Sequence, residues 1–308
     1  MIESFLTVGR QIMTLYLLMA VGFVLGRAKL IGDRGSADMS TLVMYIVSPC
    51  MLLVAFQQPL EHTMLRDFAV MLGLALLLHL AFIVLSCLLI REKDAHRRGL
   101  LLFSSVFSNC GFMGYPLMTA LFGSIGVFYG SAYVVVFTFL TWTYGIYALT
   151  GDRSLLRLRP LLLNPGVISI VLAMALYLLQ LALPEVVMVP VSYLADLNTP
   201  LPMVVVGYQL SHADFRAALR GAGAWASLLL RLVLFPLLTL GICLLLRVDG
   251  RLTVITVIAA SAPPAALLSM FSAKFRLDTE LASSLVSVQS ALSALTMPLL
   301  VSLADYLA

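Results

Sequence analysis

Charge is what this chain has least of. Asp, Glu, Lys and Arg make up 11% of its 308 residues, and 61% are hydrophobic. A soluble domain is about 25% charged, and a globule of this size has no interior large enough to hide so much apolar surface. The composition excludes a soluble protein and predicts an all-α polytopic membrane protein. Cysteine is also scarce. Cys50, Cys87, Cys110 and Cys243 each lie in an apolar run, with no C-x-x-C pair and no His-bearing zinc spacing, so neither disulfides nor a metal site is expected. They read as small packing residues. Catalytic sets are missing: no paired-carboxylate motif, no G-x-S-x-G, no H-E-x-x-H and no P-loop occurs. An enzyme, a cofactor and a nucleotide-driven pump within this chain are therefore not expected. No basic patch with interleaved aromatics points to nucleic acid. The N-terminus has Glu3 and no early Lys or Arg, and Arg10 interrupts its apolar run. It reads as a first span rather than a signal peptide.

A span needs about 20 apolar residues. Ten candidates follow: residues 4–26, 39–56, 68–90, 99–120, 126–149, 165–183, 191–210, 222–246, 252–271 and 281–306. Basic residues fall mostly in alternate loops. Arg27, Lys29 and Arg34 come first, then Arg91, Lys93, Arg97 and Arg98, then Arg153, Arg157 and Arg159. Arg216 and Arg220, and finally Lys274 and Arg276, bring the total to fourteen, against only Arg66, Arg247 and Arg251 in the other loops. The positive-inside rule places the fourteen in the cytoplasm and both termini outside.

The fourth span carries Ser108-Asn109-Cys110-Gly111-Phe112-Met113-Gly114-Tyr115-Pro116. Pro116 has no N–H for the helical ladder and crowds the carbonyl one turn back, and each glycine costs about 1 kcal/mol against Ala in a helix. In lipid, backbone freed this way must be satisfied by protein or line a cavity. The ninth span carries a second disruption, Ser261-Ala262-Pro263-Pro264. Aligning Pro49 with Pro200 gives an offset of 151, and a similar offset lays Asn109 to Gly111 against Ala262 to Pro264. The halves therefore read as repeats of five helices, 1–150 and 165–308, joined by a short linker at 151–164. An odd helix count makes them opposite in topology. Paired, interrupted apolar segments in matching positions are the best sequence pointer to a transporter's binding site.

Four ionisable residues fall within spans: Arg10, His79, Asp196 and Arg231. Arg10 and Asp196 sit near span ends. His79 and Arg231 lie deep, 152 residues apart, as counterparts in the two halves. Each reads in two ways, as a structural group bonded to carbonyls or as a group on the substrate path. On the second reading His79 carries a coupled proton and Arg231 attracts an anion. Neither break holds Asp or Glu, which leaves amide, hydroxyl and backbone groups. Half-helix N-termini carry positive dipole ends and unpaired N–H groups, so two of them meeting suit an organic anion. The candidate substrate residues are Asn109, Cys110 and Gly111, then Ala262 and Pro263, with Tyr133 and Gln289 on neighbouring helices. Gly114, Pro116, Pro263 and Pro264 mark the breaks themselves. Gly22/Gly26 and Gly126/Gly130 are G-x-x-x-G pairs that predict close helix contacts.

With these motifs in order, the chain resembles the auxin efflux carrier family, which includes plant PIN-type carriers and bacterial malate and malonate carriers. The resemblance rests on Asn109-Cys110-Gly111-Phe112-Met113-Gly114-Tyr115-Pro116, Asn164-Pro165, Pro200 with Gly207, Ser261-Ala262-Pro263-Pro264-Ala265, and Gln289-Ser290 with Pro298. It implies a five-plus-five inverted repeat similar to sodium/proton antiporters and bile-acid carriers, with spans four and nine crossing at their breaks. Spans three to five and eight to ten would form a mobile transport domain. Spans one, two, six and seven would form a scaffold, as a homodimer in the bacterial inner membrane. The short linker matches bacterial members. The expected activity is elevator-type secondary transport of a small carboxylate such as malonate, malate or an auxin-like acid, with proton coupling for import. A sodium-coupled bile-acid-type carrier, and a sensor or channel that binds the ligand without moving it, remain open alternatives.

Overall fold

The computed structural model describes residues 2–152, 163–213 and 215–308. The linker residues Arg153, Arg157 and Arg159 lie outside the described residues. Among the described residues every regular element is helical, and one isolated antiparallel bridge joins Ser108 to Pro264. In chain order the helices are α1 (Ile2–Arg27), α2 (Asp33–Ala55), α3 (His62–Leu89), α4 (Ala95–Val106) and α5 (Cys110–Thr150). They continue with α6 (Pro165–Leu178), α7 (Glu185–Asp196), α8 (Pro200–Ser211) and α9 (Phe215–Ala218). The last four are α10 (Ala222–Leu245), α11 (Gly250–Ser261), α12 (Leu267–Lys274) and α13 (Thr279–Leu307). Helices α2, α3, α5, α10 and α13 are long and apolar enough to cross a membrane, and α6, α11 and the Met13–Arg27 part of α1 are shorter apolar helices. The protein is a multi-pass helical membrane protein.

The helix starts follow from their capping residues. Asp94 accepts from the N–H groups of His96 and Arg97 to open α4, and Asp249 does the same for Arg251 and Leu252 to open α11. Asn164 accepts from Gly166 and Val167 to open α6. Each side-chain oxygen satisfies donors that the first helical turn leaves free. The two amide hydrogen bonds from Arg97 and His96 hold the Asp94 carboxyl below the usual carboxylate range.

Prolines shape the helix interiors. Widened π turns at Val43–Val47, Cys110–Gly114 and Leu230–Leu234 each end two residues before a proline, namely Pro49, Pro116 and Pro236. The missing N–H and the ring's pressure on the preceding turn are absorbed by widening the helix rather than ending it. The segment predicted at 99–120 divides into α4 and the first arm of α5, and that at 252–271 divides into α11 and α12. Gly123, at φ 61°, turns α5 into its second arm. The segment predicted at 191–210 starts earlier, at Glu185, and is broken between α7 and α8. Pro200 has no N–H to continue the helical ladder of α7, so this third interruption has a local cause.

Helices α1 and α8 meet backbone to backbone. A Cβ on Gly22 would run into the Val204 carbonyl, and one on Gly207 into the Met19 carbonyl. The Gly22/Gly26 pair thus does what small residues do in membrane interfaces. Gly126 and Gly130 similarly let the second arm of α5 lie against Met118 of the first. Loops given to one face by their charge are in contact: Arg97 donates to the Arg220 carbonyl. Arg66 and Arg247, assigned to the other face, line one cleft with Asp67 and Asp249.

Candidate functional site: the crossing of two broken helices

Helix α4 stops at Val106 and α11 at Ser261, and the chain then runs extended before helix resumes. The two extended pieces pass each other antiparallel. The Asn109 N–H donates to the Pro263 carbonyl (2.6 Å), and the Ala265 N–H donates to the Phe107 carbonyl (2.9 Å). Each break supplies the partner that the other break lost, which is what backbone away from water requires. Four helix ends converge here: the C-termini of α4 and α11 and the N-termini of α5 and α12. Each helix end carries roughly half a charge, negative at the C-terminus and positive at the N-terminus.

Arg231 serves the two negative ends. It lies in the π turn of α10 and is fully buried. Its Nη1 donates to the carbonyls of Ser105 (3.1 Å) and Val106 (2.9 Å) at the end of α4. Its Nη2 donates to the Ala260 carbonyl at the end of α11. The guanidinium also sits over Phe82 and Phe235, 5.7 and 5.8 Å from their ring centres, so aromatic faces add to its stabilisation. Those two rings stack on each other at 4.2 Å. One planar fork joins two helix ends that lie far apart in the chain.

The two positive ends face a cavity of about 120 Å³. Asn109, Gly111 and Phe112 line it from the start of α5, and Ala265, Ala266 and Leu267 from the start of α12. The second arm of α5 adds Val134, Phe137, Thr138 and Trp142. Helix α2 adds Met44, Ser48 and Leu52, and the start of α6 adds Asn164, Gly166 and Ile170. Among the described residues no lining residue is charged. Asn109 is 5% exposed and its Nδ2 has no partner among the described residues. Its carbonyl accepts from the Met113 and Gly114 N–H groups, which opens α5. A Cβ on Gly111 would meet nothing within 4 Å, so its backbone borders open space.

Of the residues singled out from the sequence, Asn109 and Gly111 line the cavity. Ala262, Pro263 and Pro264 build the crossing, while Gly114 and Pro116 form the π turn and helix start that follow Asn109. Cys110 and Tyr133 are fully buried off the cavity, and the Tyr133 hydroxyl has no partner among the described residues. Gln289 is buried in α13, away from the cavity, with both amide atoms unpartnered among the described residues. His79 donates its Nδ1–H to the Ala75 carbonyl (2.8 Å) and packs 4.9 Å from the Tyr133 ring. Arg10 and Asp196 are exposed.

Ser48, Thr138 and Trp142 carry no separate signal in the sequence as cavity residues, and Asn164 stood out only with Pro165 in the family resemblance. Ser48 was reachable through the Pro49–Pro200 alignment. Its hydroxyl donates to Asn198 Oδ1 (3.1 Å), and Asn198 lies in the break between α7 and α8. The two aligned interruptions therefore touch. Thr138 stands 151 residues before Gln289, the repeat offset itself.

A multi-pass helical protein whose two interrupted helices exchange backbone bonds beside a cavity has the build of a membrane carrier. A family model described as "Membrane transport protein" matches residues 7–157 and 152–301, and the chain belongs to this family, that of the auxin efflux carriers. An uncharacterized transporter of Methanothermobacter thermautotrophicus is 26% identical over 306 residues, covering 94% of this chain and 95% of that protein. An uncharacterized transporter of Methanocaldococcus jannaschii is 24% identical over 303 residues, covering 94% and 96%. The family is one of transporters and not of enzymes.

Proposed function

We propose that this protein is a secondary transporter of small organic anions, with substrate held at the crossing of the two broken helices. The observation that carries this reading is the Asn109 amide. Its Nδ2 is buried, with no partner among the described residues, where two helix N-termini face a cavity. A carboxylate there accepts from Nδ2 and from backbone N–H groups and gains from both dipoles. Arg231 takes the opposite part, holding the two C-termini so that the N-termini keep their aim. It is a positioning residue in this reading and does not contact the anion.

Transport follows by alternating access. α3 to α5 and α10 to α13 move as one body against α1, α2 and α6 to α8, five spans from each half in inverted repeat. The cavity between α5 and α12 on one side and α2 and α6 on the other lies across that division. The fourteen basic residues support a cytoplasmic face for the loops at Arg97 and Arg220, with both termini outside. Membrane potential then favours outward movement of an anion by about 2.3 kcal/mol per charge per 100 mV. Counterflow of labelled carboxylates in sodium-free proteoliposomes tests the reading. Trans-stimulated exchange without sodium is expected. Strict sodium dependence would favour a sodium-coupled carrier, and binding without trans-stimulation a sensor or channel.

A further inference from the structure

A cation stands beside the cavity wall. Helix α12 begins at the crossing and ends at Lys274, and its Leu267 and Met270 line the cavity. Lys274 follows Leu267 by seven residues and Met270 by four, so the three share one helix face. The Lys274 ammonium lies 5.5 Å from the centre of the Trp142 ring and 5.8 Å from that of Phe275. Trp142 itself lines the cavity from α5. Aromatic faces hold an ammonium in place without neutralising it. Lys274 is exposed, and no carboxylate pairs with it among the described residues. Asp278, four residues on, accepts from the Leu281 N–H and caps α13. A rise of 1.5 Å per residue puts Lys274 about 10 Å beyond the start of α12. The cavity residues Met44, Trp142, Asn164 and Met270 all lie toward the ends of their segments nearest the loops that charge assigns to the cytoplasm.

We infer that Lys274 is the entry group for the anion on the cytoplasmic side. It draws the carboxylate to the Trp142 edge of the cavity, from which the anion passes to Asn109 and the two helix N-termini. The inference rests on the anion reading above. The pull is one-sided. At the repeat offset of 151 to 152 residues Lys274 stands against Gly123 and Phe122, and no Lys or Arg occurs from residue 99 to residue 152. The counterpart position, at the bend of α5, offers an arriving anion no such charge. The field of Lys274 adds to that of the other basic residues assigned to its face. An exposed charge about 10 Å from the site acts through water, so its reach follows the screening length, about 30 Å at 0.01 M salt and about 3 Å at 1 M. Such a charge speeds capture more than it tightens the final complex.

The test uses the full-length protein in vesicles, with exchange of labelled butyrate, malonate and indole-3-acetate measured from each side. Lys274→Met keeps the stem on Trp142 and removes the charge, and Lys274→Arg keeps the charge. For the acids that exchange, Lys274→Met is expected to raise the cytoplasmic-side KM about three- to tenfold at ~10 mM salt and less than about twofold at ~500 mM, with kcat and melting temperature unchanged. Lys274→Arg should match the wild type, and the KM from the outer side should hold in both variants. A KM unchanged in Lys274→Met at low salt, or raised equally at every salt concentration or on both sides, would overturn the inference and leave the anion reading standing. Absence of exchange for all three acids in the wild type would overturn the inference and the anion reading together.

Discussion

Replacing Arg231 by Met keeps the length and apolar stem of the side chain and removes the fork. Three hydrogen bonds disappear, two from the end of α4 and one from the end of α11. An orphaned buried carbonyl costs about 1–3 kcal/mol, so three bring a gross loss of about 3–9 kcal/mol. Removing the guanidinium also relieves its own burial, which costs several kcal/mol for a desolvated ion. The net expectation is a loss of about 3 kcal/mol. For a chain of this size that lowers the melting temperature by about 5 °C. Thermal unfolding of purified protein in detergent, followed by intrinsic fluorescence, reads it directly. Arg231→Lys should fall between, because it keeps the charge but offers no planar fork for three carbonyls. An unchanged melting temperature in Arg231→Met, together with lost anion affinity, would refute the clamp and place Arg231 on the substrate path.

Three further outcomes are expected. Gly207→Ala drives a methyl into the Met19 carbonyl on α1, so the α1–α8 contact should loosen and stability fall by about 1–3 kcal/mol, read by the same melting assay. The Asp94 carboxyl sits below the usual carboxylate range because the His96 and Arg97 amides bond its charged form. Its contribution is therefore complete above about pH 4 and is lost as the pH falls through the lower folded-state value. Asp94→Asn keeps the cap without titrating, so a melting series down the acid range should show a smaller loss in the variant than in the wild type. Phe137→Leu widens the cavity at a cost of about 1–2 kcal/mol. Competition assays should show bulkier carboxylates gaining on smaller ones, and an unchanged ranking would remove Phe137 from the cavity wall.

The broken helices were legible because Pro and Gly inside an apolar run leave backbone groups that lipid does not satisfy. The residues around Asn109 and Pro263 announced themselves on that ground alone. The offset between the halves added their pairing, and the bond from Asn109 to Pro263 is the physical form of that alignment. The role of Arg231 was not decidable from its depth, since a buried arginine serves carbonyls or anions equally well until its partners are known. The cavity wall was hidden for another reason. Phe137, Trp142 and Leu52 are ordinary apolar residues in ordinary helices, and only the arrangement of α2, α5 and α6 brings them around one space. Gln289 and Tyr133 illustrate the converse. Polar character marked both, but each is packed off the cavity. The break between α7 and α8 was written in Asn198-Thr199-Pro200, where the apolar character of the surrounding span masked it.

The central claim is that Asn109 and the two helix N-termini beside it bind the anion. The direct measurement is equilibrium binding of the carboxylate that stabilises the wild type most, repeated on Asn109→Ala and Asn109→Asp. Both variants keep the backbone N–H that bonds Pro263, so melting temperatures should hold. An aspartate is also favourable at the start of α5. Loss of one hydrogen bond to a charged group, about 1.5–3 kcal/mol, predicts affinity about ten- to a hundredfold weaker in Asn109→Ala, and no measurable binding in Asn109→Asp. Wild-type affinity in both folded variants would contradict the account and move the site away from the crossing.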